Sequence, residues 1–74
     1  MKIEIRLFAT FREGREKKQV LEIAEDMNII DILKILNIDK EEVSTLLLNG
    51  MDGGFDRKLK DGDILSIFPP VGGG

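Results

Sequence analysis

The sequence predicts an α+β fold in which one main helix packs on one face of a mixed sheet and an extended tail follows the last strand. Three observations carry that expectation. Residues Lys2 to Ala9 alternate apolar and charged with period two, Ile29 to Leu36 carry one apolar stripe at helical spacing, and Ile64 to Phe68 form an apolar run stopped by Pro69-Pro70.

In the first segment Ile3, Ile5, Leu7 and Ala9 share one face while Lys2, Glu4 and Arg6 share the other, the pattern of a strand with one buried side. The polar stretch Arg12-Glu13-Gly14-Arg15-Glu16 supplies a turn, and Lys17 to Ala24 resumes as extended chain with Val20, Leu21 and Ile23. Asn28 is the expected N-cap of the helix, with Asp31 placed where its carboxylate meets the free backbone amides and the positive helix end. Ile29, Ile30, Ile32, Leu33 and Leu36 form the buried stripe, and the helix is expected to end near Asn37. Glu42 lies at capping-box spacing from Asp39, which predicts one further short turn.

Thr45 to Leu48 then reads as a buried strand running into Asn49-Gly50, a pair that supplies two residues at positive φ for a tight turn. Gly53-Gly54 interrupts the next segment, so a brief minor strand is expected at Phe55-Asp56. Lys60-Asp61-Gly62-Asp63 makes a second turn and launches the final strand, which ends where two prolines cannot donate to a ladder. One helix connecting the second and third strands, with a long return to the last, suits a β-grasp (ubiquitin-like) arrangement. The predicted organisation is a β-grasp domain over 1–70 and a flexible Gly-rich tail over 71–74.

Composition narrows the chemistry. The 74 residues suffice for one small domain, and a chain this short buries only about 60% of the surface its unfolded form exposes. With no cysteine and no histidine, thiolate and imidazole metal sites, disulfides and the commonest general base are all absent. A net charge of −3, from 11 basic and 14 acidic residues, argues against nucleic acid as a partner. The charged opening strand resembles neither a signal peptide nor a membrane anchor, so no membrane partner and a cytoplasmic location are expected. Asp61 and Asp63 flank Gly62 without the other ligands of a calcium loop, and the glycines around Gly50 lack phosphate-loop spacing, so both are turns. No metal and no cofactor bound by this chain are expected.

Chemistry can sit in the tail. From Ile64 to Gly74 there is no ionisable side chain, and the chain reads Phe68-Pro69-Pro70-Val71-Gly72-Gly73-Gly74. Prolines stiffen the exit from the sheet, and glycines without Cβ thread where a side chain would collide. Four residues past Pro70 reach at most roughly 13 Å, enough to carry a carboxylate into a partner's site. If Ile3, Ile5 and Leu7 face inward, Phe8 faces out; by the same alternation Leu65 and Ile67 face in while Phe68 faces out, and Leu47 lies between inward-facing Leu46 and Leu48. Phe8, Leu47 and Phe68 are therefore expected to form a partner-docking patch at the base of the tail, as opposed to leftover apolar surface. Phe11 lies in a loop and reads as a plug at the core's edge. Arg12 reads either as a counter-charge for an acidic partner or as a solvated charge.

Leu7-Phe8-Ala9 with Arg12-Glu13, Asn49-Gly50, Leu59-Lys60-Asp61-Gly62-Asp63 and Phe68-Pro69-Pro70-Val71 through Gly73-Gly74 together resemble the MoaD/ThiS family of sulfur carrier proteins, and within it the small subunits of molybdopterin synthase. The resemblance spans the chain and is most specific at its uncharged ending. It implies that the Gly74 carboxylate is the reactive group, adenylated by an E1-like adenylyltransferase that uses ATP, then converted to a thiocarboxylate. It further implies that Pro69, Pro70, Val71, Gly72 and Gly73 thread into the partner. The sulfur would go to a pterin precursor in the molybdopterin synthase large subunit, within a heterotetramer, so the chain would be the sulfur-donating part of an enzyme and not catalytic alone. Gly72 stands where molybdopterin synthase small subunits usually carry alanine, and a triple-glycine ending also resembles thiazole-pathway carriers, whereas Pro69-Pro70 favours the molybdopterin reading. An archaeal-type small modifier conjugated to lysines shares the same ending.

Overall fold

The computed structural model describes residues 1–70, so the readings placed on 71–74 lie outside the described residues. Its strands are β1 (Lys2–Leu7), β2 (Lys18–Glu22), β3 (Thr45–Leu48), β4 (Met51–Asp52) and β5 (Ile64–Phe68). The helix α1 (Ile29–Leu36) connects β2 to β3, and short 3-10 helices occupy Ala9–Arg12 and Lys40–Glu42. The five strands form one mixed sheet in the order β2-β1-β5-β3-β4, antiparallel except for the central β1–β5 pair. That parallel pair, with a helix crossing one face, is the expected β-grasp arrangement.

The core forms where the two periodicities meet. Ile3, Ile5 and Leu7 of β1 and Leu65 and Ile67 of β5 are fully buried, and they pack against Ile29, Ile32, Leu33 and Leu36 of α1. Each such side chain contributes about 2 kcal/mol by leaving water, which makes this face the dominant stabilising term. The helix is bounded as its sequence dictates. Asn28 Oδ1 accepts the Asp31 N–H and the Asp31 carboxylate accepts the Asn28 N–H, both at 3.0 Å, a closed capping box. Asn37 ends it in the left-handed region at φ 59°, and the Ile38 N–H returns to the Leu33 carbonyl at 2.9 Å, which carries Ile38 into the core.

Two expectations need correction. Ala9, read as the last inward residue of the first strand, is exposed at φ 53°, because the strand ends at Leu7 and the chain turns through the 3-10 helix. The turn brings Phe11 into the core at 4% exposure, and burying an aromatic ring outweighs extending the ladder by one alanine. The minor strand lies at Met51–Asp52 and not at Phe55-Asp56. Asn49 and Gly50 both take positive φ, so a two-residue turn sets Leu48 opposite Met51 and Leu47 opposite Asp52 at once.

Beyond that short strand an arginine completes the edge. The Arg57 guanidinium donates to the carbonyls of Leu46 on β3 at 3.0 Å, of Met51 on β4, and of Gly53 and Gly54 in the loop that follows. At the base of β5, Asp63 is buried and accepts from the Lys60 N–H at 2.7 Å and the Asn49 side-chain amide at 2.8 Å. Asp61 accepts from the Lys2 N–H at 2.7 Å. Both carboxylates of the Asp-Gly-Asp turn are therefore committed to the scaffold.

Candidate functional site

The site is built by the two central strands. Parallel pairing sets Leu7 beside Ile67, so the next residues on each strand, Phe8 and Phe68, emerge together on the face opposite the helix. Their rings stack with centroids 4.2 Å apart and planes within 10°. Both are half-buried: each ring covers one face of the other and leaves apolar surface outward. Arg12, swung back by the 3-10 helix, lays its guanidinium 5.0 Å over the Phe8 ring while its Nε donates to the Leu7 carbonyl at 2.7 Å. Phe8 therefore meets both the Phe68 ring and the Arg12 guanidinium at one end of the sheet.

Antiparallel pairing of β3 with β5 extends this surface. Thr45 lies opposite Phe68 and Leu47 opposite Ser66, so Leu47 projects on the same face, half-buried. Phe68, Leu47, Thr45, Ala9, Pro69 and Pro70 line an open, mainly apolar groove of about 470 Å³. The Phe68 carbonyl accepts the Ser44 N–H at 2.8 Å, after which Pro69, with no N–H to offer, is buried against the domain and Pro70 is exposed. The chain thus leaves the fold from the wall of its own apolar groove.

Phe8, Leu47, Phe68 and Arg12 are therefore brought together with Pro69 and Pro70, whereas Val71, Gly72, Gly73 and Gly74 lie beyond the described residues. Arg12 serves the fold as well as the surface, since its Nε is held by a backbone carbonyl. Sequence reasoning missed Ala9, Thr10, Ser44 and Thr45 as groove residues. Thr45 could have been found from register, because it stands two residues from Leu47 on a strand that the alternation had already oriented. The other three belong to connections whose path the core determines, and periodicity carries no signal for them.

Nothing in this surface supplies a general base or a metal ligand set; it presents apolar area, one guanidinium and a chain end. Among the described residues no helix is long and apolar enough to cross a membrane.

Comparisons with known proteins agree on this architecture. Residues 5–74 match the ThiS family. Small archaeal modifier protein 3 of Haloferax volcanii is 35% identical over an alignment of 92 positions that takes in all of both chains. Among solved structures, the complex of subunits 1 and 2 of the molybdopterin-converting factor from Helicobacter pylori contains a chain 28% identical, fully covered on both sides, with a TM-score of 0.68. Small archaeal modifier protein 1 of Methanosarcina acetivorans is 27% identical with a TM-score of 0.71, covering 99% of this chain and 96% of its own. With a family model that spans nearly the whole chain and relatives aligned from end to end, this protein belongs to the ThiS family, a group of β-grasp sulfur carriers and ubiquitin-like modifiers.

Proposed function

We propose that this chain carries sulfur on its C-terminal carboxylate for molybdopterin biosynthesis. The observation that carries the reading is the Phe8–Phe68 stack and its apolar groove, placed where Pro69-Pro70 lead out of the sheet. A partner that docks there receives the residues beyond Pro70 into its own site. The full-length likeness to a chain of a complex of molybdopterin-converting factor subunits 1 and 2 supports the large synthase subunit as that partner; the heterotetramer expected from the resemblance is part of the same proposal.

The chemistry needs no side chain of this protein. A carboxylate is inert toward sulfur nucleophiles until a good leaving group is attached. An E1-like adenylyltransferase would join a Gly74 oxygen to the α-phosphorus of ATP, with loss of pyrophosphate. Hydrosulfide released by a sulfur donor then attacks the acyl carbon and AMP departs with loss of the sulfur's proton, leaving a thiocarboxylate. In the large subunit, that sulfur passes to the pterin precursor. The family model runs through residue 74, which supports Gly74 as the reacting position.

A second reading, a protein modifier joined to lysines, is favoured by the 35% identity to small archaeal modifier protein 3. The two share the adenylate and diverge at the acceptor, sulfur in one case and an amine in the other. The discriminating experiment supplies thiocarboxylated chain to a molybdopterin synthase large subunit and its pterin precursor, and activated chain to a cell extract. The sulfur-carrier reading expects a dithiolene product formed at the expense of thiocarboxylate. Isopeptide adducts on lysines with no sulfur transferred to the pterin would overturn it in favour of the modifier.

A further inference from the structure

The two edges of the sheet are finished differently. At the β4 edge, Arg57 occupies the carbonyls of Leu46, Met51, Gly53 and Gly54. At the other edge, β2 pairs with β1 alone. Hydrogen bonds join Met1 with Ile23 in both directions, and Leu7 N–H donates to the Lys17 carbonyl, so the odd-numbered residues of this segment turn their backbone groups toward β1. By antiparallel alternation, Lys18, Val20 and Glu22 turn theirs outward, and none of these groups has a partner among the described residues. Their side chains are exposed too, Val20 to 61%. No proline or bulge blunts this strand, and its only guards of the kind that usually protect a free edge are the charges of Lys18 and Glu22.

The charges along the edge are self-complementary. Lys18 and Glu22 lie two residues either side of Val20 on the same face. An antiparallel copy centred on Val20 sets each Lys18 against the other chain's Glu22, and Val20 against Val20. All three positions are those with outward backbone groups, so each pairing exchanges two hydrogen bonds without a change of register. Lys18 gains most, because its neighbour across β1 is Arg6, and it has no ion pair among the described residues. A two-fold interface requires that residue i meet j while j meets i, which this strand satisfies.

We propose that β2 joins a second copy of this chain about a two-fold axis at Val20, fusing the two sheets into one. The groove lined by Leu47, Phe68, Pro69 and Pro70 lies beside β5 and β3, with β1 between it and the β2 edge, so the groove stays accessible in the dimer.

The test is sedimentation velocity at low salt up to about 1 mM, since so small an interface falls at the weak end of association. The parent chain is expected to dimerise. Lys18→Glu and Glu22→Lys each turn two attractive pairs into two repulsive ones and are expected to raise the dissociation constant about tenfold or more. The double variant K18E/E22K restores both pairs and is expected to dimerise like the parent. A parent chain that stays monomeric overturns the proposal, as does a dimer indifferent to the single exchanges or one dissociated by Phe68→Ala instead. Failure of the double variant to recover also overturns it, provided its melting curve matches the parent's.

Discussion

Deleting Gly73 and Gly74 is expected to abolish thiocarboxylate formation while leaving the domain folded. Among the described residues, the fourteen apolar residues of the core all lie between Ile3 and Ile67, so the truncation removes none of them. A surface change of this kind costs at most about 0.5 kcal/mol, or roughly 2–4 °C in a domain of this size. Activation, by contrast, depends on which carboxylate the adenylating enzyme can reach. Truncation leaves a carboxylate on Gly72, two residues short, and each lost residue withdraws it by about 3.5 Å. Comparing melting temperature with thiolation yield separates the two effects. A truncated chain that melts far below the parent would contradict the division between scaffold and tail, and one that is thiolated as well as the parent would contradict the assignment to Gly74.

Phe68→Ala is expected to weaken partner binding far more than folding. The ring is half-buried and its main contact within the chain is the stack with Phe8, so its loss costs the domain about 1–2 kcal/mol. At an interface, an aromatic anchor in an apolar groove contributes about 2 kcal/mol or more, a loss of about 30-fold in affinity. Ile35→Ala is the matched control. Ile35 is 53% exposed, but it stands on the helix, across the domain from the groove. Titration of each variant with the large synthase subunit should give weakened binding for Phe68→Ala and parental binding for Ile35→Ala. Equal affinity for all three proteins would remove the docking face from the account.

The Phe8–Phe68 contact also shows how far a sequence carries a structure. Alternation oriented Phe8 and Phe68, and the parallel adjacency of first and last strands, a consequence of the β-grasp order, placed them at the same end. Both steps are local rules joined by one topological choice, and the 4.2 Å stack results from them. Asn28, Asn37 and Asn49-Gly50 were equally readable, because caps and tight turns are satisfied within a few residues of themselves. Ala9 was not, since its path is set by Phe11 reaching a core assembled from distant segments. Nor was Arg57: an arginine in a glycine-flanked loop looks like any surface charge until a two-residue strand leaves carbonyls beside it. The minor strand differs for another reason: the expectation set it beyond the Gly53-Gly54 interruption, whereas the Asn-Gly turn aligns Met51 and Asp52 with Leu48 and Leu47 at once. For Val71 to Gly74, residue pattern supplied the absence of ionisable side chains, and only resemblance supplied a chemistry.

Because sulfur carriage and lysine conjugation share an adenylate, the central claim is that Gly74 accepts sulfur. The direct measurement is mass spectrometry of the intact chain and of its C-terminal peptide after incubation with ATP, a sulfur donor and an E1-like adenylating enzyme. The account predicts replacement of one terminal oxygen by sulfur, located on Gly74 and dependent on ATP. An unchanged mass, with an enzyme that thiolates another carrier in the same assay, would contradict it.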